Sequence, residues 1–370
     1  MTAQILIIGA GKIGRTIANM LAQSGDYRVT LADCVLPQLT PGEAAARIEA
    51  CQLDACDGAA LDRLLNGRFA VVSAVPFHVT AGIAAAAADR GVHYLDLTED
   101  VAATQLVKQL APRARRALIP QCGLAPGFIS IVGHHLAQRF DRLDSLRLRT
   151  GALPQFPANG LNYNLTWSTE GVINEYCQPC EAIVDGRLVT VPALEEREEF
   201  SLDGIRYEAF NTSGGLGTLC ETLSGKLRHL NYRSIRYPGH AAAMKLLLQD
   251  LRFSERRTQL KEILEQALPA TLQDVVVIFA TATGYRHGRL VQESYARKIY
   301  SREIAGQTLS AIQLTTAAAL CAVLDLLREG RVAQQGFVRQ EEIGLDVFLA
   351  NRFGSLYGDQ ADLPSLAKVA

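Results

Sequence analysis

Net charge, membrane-length apolar runs and patterned cysteines are all scarce in this sequence, and each scarcity closes off a class of function. Thirty-seven Lys and Arg residues face 38 Asp and Glu, a formal net charge of -1. No cationic surplus exists to displace counterions from nucleic acid, so no nucleic-acid partner is expected. The local cluster Arg113, Arg115 and Arg116 reads as a solvated helix end. The Ala-rich stretch 81–88 is closed by Asp89 and Arg90 and falls short of the ~20 residues that span a bilayer, so no membrane partner is expected. The N-terminal apolar stretch 4–8 has only strand length and runs into glycines, unlike a secretory leader, which leads to the expectation of a cytoplasmic protein. The 8 cysteines are scattered, as suits a reducing compartment. Cys177 and Cys180 form the only C-x-x-C; with no second pair it reads as coincidence, and no metal site is expected. Repeats and low-complexity tracts are absent too.

What remains is an ordinary globular composition, 48% apolar and 20% charged, in a chain of 370 residues. That length exceeds what one core usually serves and predicts two domains. In the first third, β-branched runs at 4–8, 28–32, 70–75, 94–97 and 117–119 alternate with helical patterns at 11–23, 58–65, 79–89 and 101–110. This predicts an α/β, Rossmann-type doubly wound parallel sheet over residues 1–122. Beyond the Pro120-Gln121-Cys122-Gly123 stretch, alternating segments meet at the hairpin signals Asp185-Gly186 and Asp203-Gly204. Another antiparallel pair is expected around 274–283 and 290–300. A second α+β domain with a largely antiparallel sheet, for substrate binding and oligomerisation, is therefore expected over 123–306. A C-terminal helical segment, 307–370, is expected to return to the first domain.

Gly9-Ala10-Gly11-Lys12-Ile13-Gly14 follows a strand and opens a helix, the context that lifts a G-x-G-x-x-G run above chance. Gly9 makes the tight turn, Gly11 lets a pyrophosphate approach the backbone, and Gly14 lets the helix pack on the strand. Amides at the helix start, from Lys12 and Ile13 onward, together with the helix dipole, favour the diphosphate. Asp33 ends the second strand nineteen residues past Gly14, where its carboxylate accepts both ribose hydroxyls and repels a 2′-phosphate. The expected cofactor is NAD. Ala74, Pro76 and His78 fall at the carboxyl edge of a later strand, where such sheets bind ligands, although His78 reads equally well as a surface histidine.

Several further segments join polar chemistry to backbone freedom: 93–100 with Tyr94, Asp96 and Glu99; Gly123-Leu124-Ala125-Pro126-Gly127; 211–217 with Thr212, Ser213 and Gly214; and Arg236-Tyr237-Pro238-Gly239-His240 followed by Lys245. In this order the chain resembles the saccharopine dehydrogenase group over nearly its whole length, including Pro154-Gln155-Phe156-Pro157, the 161–168 run and 336–342. Within that group the likeness points to the lysine 6-dehydrogenases.

The resemblance implies NAD-linked oxidative deamination of the terminal amine of L-lysine, a small amino-acid substrate, and a homodimer or higher homo-oligomer. Reductive amine–aldehyde condensation of the saccharopine or carboxynorspermidine type is the alternative within the group. A non-catalytic NAD-binding regulator is the alternative outside it. Hydride departs only when the nitrogen lone pair is free, so an ammonium must first be deprotonated. On the family likeness His240 is the expected base, because imidazole titrates nearest neutrality, or it is simply part of a helix start. Lys245 is expected to lower its pKa or to bind the substrate carboxylate. Asp96 and Glu99 are expected to hold the cationic amine, or to be loop carboxylates only. Thr212, Ser213 and Gly214 are expected to cradle the carboxylate, or to be a hairpin connection. Tyr163 and Trp167 are expected to wall the pocket and offer a face to an ammonium, although Trp167, the single tryptophan, also suits an interface.

Overall fold

The computed structural model describes residues 2–46, 48–304 and 306–358. They divide into two compact units, one built from the described residues up to 128 and from 315 onward, the other from the described residues between 129 and 314.

The first unit alternates strand and helix: β1 Ala3–Ile8, α1 Lys12–Gln23, β2 Tyr27–Asp33, α2 Pro41–Ala45, β3 Ile48–Gln52, α3 Gly58–Leu65, β4 Ala70–Ser73, α4 Phe77–Arg90, β5 His93–Asp96, α5 Val101–Leu110 and β6 Ala117–Ile119. The strands lie in the order β6-β5-β4-β1-β2-β3, all parallel, with the reversal of direction at β1 and β4. That reversal is where ligands of such sheets bind, beyond the strand carboxyl ends. Local chemistry explains the helix limits. Asp57 accepts from the Ala59 and Ala60 amides to open α3, Asp100 accepts from Ala103 to open α5, and Gly91 closes α4 in a left-handed conformation. One core packs Leu6, Ile8 and Val71 of the strands against Ile83, Ala84 and Ala87 of α4 and Val107 of α5. Each large side chain so buried contributes about 1.5–3 kcal/mol.

The second unit contains α6 Phe128–Ala137 from its second residue, β7 Arg142–Pro154, α7 Thr169–Cys177, β8 Cys180–Val184, β9 Arg187–Val191, β10 Glu198–Leu202, β11 Ile205–Asn211, α8 Leu219–Leu223, β12 His229–Arg236, α9 His240–Lys245, α10 Arg257–Ala267, β13 Asp274–Arg286 and β14 Arg289–Tyr300. Its sheet runs β10-β11-β12-β7-β13-β14, with the β8–β9 hairpin attached to β12. Every pairing is antiparallel except β12 with β7. Both Asp-Gly hairpins form with positive φ at the two central residues, and His287-Gly288 makes a third. A small two-stranded ladder, β15 Arg302–Ile304 with β16 Gln307–Leu309, follows.

The chain then re-enters the first unit through α11 Ala311–Arg328, whose opening amides at Ala311 and Ile312 are capped by the buried Asp274 carboxylate. By length and hydropathy α11 could cross a membrane, but 83% of it is buried inside the protein, as in a core helix. After α11, β17 Gly336–Phe337 adds a seventh strand beside β6, and α12 Leu345–Ala350 follows. The Phe128 ring lies 5.1 Å from Phe348 and 4.0 Å from Tyr357, which is why the start of α6 belongs to the first unit.

Candidate active site

The turn from β1 to α1 gives each glycine a distinct physical role. Gly9 sits at φ +108, and a Cβ there would meet the Ala74 carbonyl oxygen at 2.3 Å. A Cβ on Gly14 would stand 1.9 Å from the Gly9 oxygen. A Cβ placed on Gly11 would meet no described atom beyond its own chain neighbours within 4 Å, so this stretch of backbone is open to a ligand. Unlike α3 and α5, α1 starts without a side-chain cap, and it has no acidic residue in its first turn to compete for its amides. Its amides and dipole are thus left for an external anion, the arrangement that suits a dinucleotide diphosphate. Lys12 is exposed and Ile13 half-buried at this start. Arg15, which sequence reasoning passed over, braces the turn by donating to the Ala10 carbonyl at 3.0 Å while pairing with Glu43.

Asp33 ends β2 and accepts the Ala10 amide at 2.7 Å. Burial works to raise its pKa, but the Ala10 amide and the Cys34 thiol outweigh that and hold it below the usual carboxylate range. It is therefore an anion at neutral pH, and Cys34, Val35 and Leu36 after it bring no cation. Ala74 packs against Gly14, Pro76 precedes α4 at its N-cap, and His78 is exposed on the first turn of α4 with the Phe77 ring edge-on to it.

Asp96 requires a correction. Its side chain is 0% exposed and accepts from the Tyr94 hydroxyl at 2.7 Å, the Gln121 amide at 2.8 Å and the Thr98 amide at 3.0 Å. Burial pushes its pKa up to about 6 against those donors. All three donors belong to its own unit, so the carboxylate ties the ends of β5 and β6 together and is not presented to an amine. Glu99 is half-buried in the segment before α5.

In the second unit a polar cluster is enclosed by α7, β12, α9 and the 161–167 segment. His240 is 1% exposed, with Nδ1 2.8 Å from the Leu161 carbonyl oxygen and Nε2 3.0 Å from the Tyr176 hydroxyl. Burial, reinforced by the Arg236 charge, pushes its pKa down to about 3. Both nitrogens are occupied and the ring is neutral, so the expectation of His240 as the base fails: its lone pair is taken and its proton affinity is too low. Lys245 has no part in lowering that pKa, since its ammonium pairs with Glu195 at 2.5 Å; the responsible cation is Arg236.

Much of the expected carboxylate cradle is committed to partners within its own unit. Thr212 is hydrogen-bonded to Ser234 at 2.8 Å, and the Ser213 amide donates to the Glu175 carbonyl at 3.0 Å. Gly214 begins a turn to Gly217, and Gly215 packs on the Tyr232 ring. The Tyr163 face meets the protein's own cation, with the Arg236 guanidinium 5.2 Å from the ring centre. Trp167 is half-buried against the α7–α10 core.

The residue that sequence reasoning quoted without assigning is Arg236. It is only 3% exposed, and its Nε donates to Tyr176 at 2.9 Å and its Nη1 to the Ile235 carbonyl at 2.8 Å. Among the described residues no carboxylate pairs with it within ion-pair distance. Burial opposes its charge, yet Tyr176, Tyr163 and the longer-range Glu175 keep it firmly protonated. A buried guanidinium with donors to spare is a ready partner for a carboxylate. Among the described residues no group of three His, Cys, Asp or Glu side chains converges to hold a metal.

A parallel dinucleotide fold joined to a mixed-sheet unit with a buried cation defines a pyridine-nucleotide-binding protein with a second, mixed-sheet domain. The chain belongs to the saccharopine dehydrogenase family. The family's NADP binding domain matches residues 5–120 and its C-terminal domain residues 123–353. Saccharopine dehydrogenase [NADP(+), L-glutamate-forming] of Saccharomyces cerevisiae is 24% identical over 200 residues, 52% of this chain and 44% of that protein. The mitochondrial alpha-aminoadipic semialdehyde synthase of Mus musculus is 22% identical over 252 residues, 62% of this chain and 27% of that protein. The match thus spans under half the length of these curated relatives. Apo saccharopine dehydrogenase (L-Glu forming) from Saccharomyces cerevisiae has the same fold, with a TM-score of 0.73 at 17% identity, covering 93% of this chain and 95% of that one.

Proposed function

We propose that the protein oxidises the terminal, amine-bearing carbon of L-lysine with NAD as acceptor, and that water adds to the resulting iminium, releasing ammonia and a 6-semialdehyde that cyclises. The observation that carries the reading is Arg236. A buried guanidinium with donors to spare and, among the described residues, no carboxylate within ion-pair distance is ready to be completed by an anion, and an amino-acid substrate supplies that anion. A planar, bidentate grip on the α-carboxylate would leave the far end of the substrate as the reacting end.

The glycine turn and Asp33 fit a dinucleotide. The Gly11-to-Gly14 amides would hold the diphosphate, and the ionised Asp33 would accept the adenine ribose hydroxyls and disfavour a 2′-phosphate. When bound, the nicotinamide supplies the hydride acceptor. The substrate nitrogen must be uncharged for hydride to leave, and His240, already neutral and hydrogen-bonded at both nitrogens, does not take that proton.

The experiment is direct: mix the purified protein with NAD or NADP and a panel of amino acids, follow nicotinamide reduction, and trap any cyclic imine with an aromatic amino-aldehyde. Absence of reduction with lysine sinks the reading. The activity named for the yeast relative supports a second reading, reversible amine–aldehyde condensation, which predicts reduction with saccharopine in place of lysine.

A further inference from the structure

The hydrogen-bonded chain that ends on Arg236 has only one possible polarity. At one end the Leu161 carbonyl oxygen can only accept, so His240 Nδ1 must carry the proton across 2.8 Å. In the neutral ring Nε2 then holds a lone pair, and the Tyr176 hydroxyl must donate to it across 3.0 Å. That leaves the Tyr176 oxygen as an acceptor, facing Arg236 Nε at 2.9 Å. At this other end the guanidinium can only donate. The opposite tautomer would set a bare Nδ1 lone pair against the Leu161 oxygen and leave the Tyr176 proton without this acceptor.

The rings are confined as well. Around His240 stand Tyr163 at 5.3 Å, Tyr176 at 5.8 Å and Phe210 at 6.3 Å, and the guanidinium lies 5.2 Å from Tyr163 and 5.8 Å from Tyr176. Arg236, Tyr176 and Leu161 come from β12, α7 and the segment before it, so one chain of hydrogen bonds links separate elements.

We infer that Tyr176 and His240 are positioning residues: a one-way relay from Arg236 to the Leu161 carbonyl that fixes the plane of the guanidinium for a substrate carboxylate. The inference rests on the carboxylate role given to Arg236 above. With Nε tied to Tyr176 and Nη1 to Ile235, the guanidinium cannot rotate, and its remaining donors are held in one orientation. Preorganisation of this kind acts on substrate binding and leaves the chemical step alone.

Two measurements test it. In protein labelled with 15N-histidine, with His240 assigned by its loss in His240→Gln, the ring should appear as the neutral Nδ1–H tautomer and stay untitrated from pH 5 to 9. An Nε2–H tautomer, or a midpoint near 6.5, overturns the relay. In Tyr176→Phe, which keeps the ring and removes both links, KM for lysine should rise about 10- to 100-fold, the range of one charge-assisted hydrogen bond. Values of kcat and NADH affinity should stay within about threefold, and 1,5-diaminopentane, which keeps the amine but lacks the carboxylate, should be turned over as by the unaltered protein. Equal losses on both amines overturn the inference, since they mark a general structural defect. If Tyr176→Phe fails to fold, the tautomer decides the matter. If the unaltered protein leaves lysine untouched, the proposed function falls while the tautomer still tests the relay, because it needs no substrate.

Discussion

Replacing Asp33 with serine should invert or erase cofactor preference. The ionised carboxylate would give two charge-assisted hydrogen bonds to the adenine ribose, each contributing about 1.5–3 kcal/mol; a serine keeps one weaker bond, so a net loss of about 1.5–3 kcal/mol weakens NADH binding about 10- to 100-fold. For NADPH the sign reverses. A 2′-phosphate carries about -1.5 to -2 charges, and repulsion by a carboxylate roughly 5 Å away is about 3 kcal/mol per charge at an effective dielectric constant near 20. Asp33 is partly exposed, so screening cuts this by roughly half or more, leaving about a 10- to 100-fold gain for NADPH. Together the ratio of the two affinities should shift by about 10²- to 10⁴-fold. The Ala10 amide also loses its 2.7 Å acceptor, so a modest fall in Tm should accompany the change. Fluorescence titration with NADH and NADPH measures both constants without any substrate. Tighter NADPH binding by the unaltered protein, or an unchanged ratio in Asp33→Ser, would refute the reasoning.

Gly14→Ala should unfold the turn, because its Cβ would sit 1.9 Å from the Gly9 oxygen, whereas Gly11→Ala should fold normally and lose dinucleotide affinity; circular dichroism with NADH titration separates them, and two equally folded, equally weak binders would contradict the assignment. With His240 pushed down to about 3, kcat/KM for lysine should climb about tenfold per pH unit from neutrality toward the ammonium pKa of about 10.4, and a plateau starting near pH 7 would restore a base of imidazole type. Asp325→Ala should strand Tyr27, Asn351, Arg328 and Arg352, all of which donate to this carboxylate, costing about 3–5 kcal/mol and lowering Tm by roughly 6–20 °C in calorimetry. Against the effect of burial, Arg352, Tyr27 and Asn351 hold the Asp325 carboxyl below its usual range. Its stabilisation is therefore present above about pH 4 and lost as pH falls further, and an unchanged acid-unfolding curve in the variant would contradict it.

Much of the fold was legible because its signals are local. Gly9, Gly11, Gly14 and Asp33 meet within one βαβ unit, and the Asp185-Gly186 and Asp203-Gly204 turns need only two residues with positive φ. The strands that escaped notice lack such signals. β3 is short and largely unburied, and β17 is a two-residue addition that exists only beside β6. β12 carries Asn, Arg and Ser among its apolar residues, which hides a strand whose polar side chains are covered from elsewhere in the unit. His240 invited a catalytic reading because an imidazole in isolation titrates near neutrality, and nothing in its neighbours in sequence announces burial. Thr212 and Ser213 looked open for the same reason; the Thr212 hydroxyl shares a hydrogen bond with the Ser234 hydroxyl, and the Ser213 amide donates to the Glu175 carbonyl.

The amino-acid sequence by itself determined where the dinucleotide turn forms and that its ribose end carries a carboxylate, since steric limits on φ and the spacing of one turn are properties of neighbouring residues. Tertiary structure alone decided which polar groups stay available for chemistry. His240 meets Tyr176 across 64 positions and Leu161 across 79, while Arg236 meets Tyr176 across 60. Proton affinity and charge compensation follow from desolvation and from those distant partners, so a histidine that resembled a base became a neutral link, and an arginine became a buried cation with no carboxylate within ion-pair distance among the described residues.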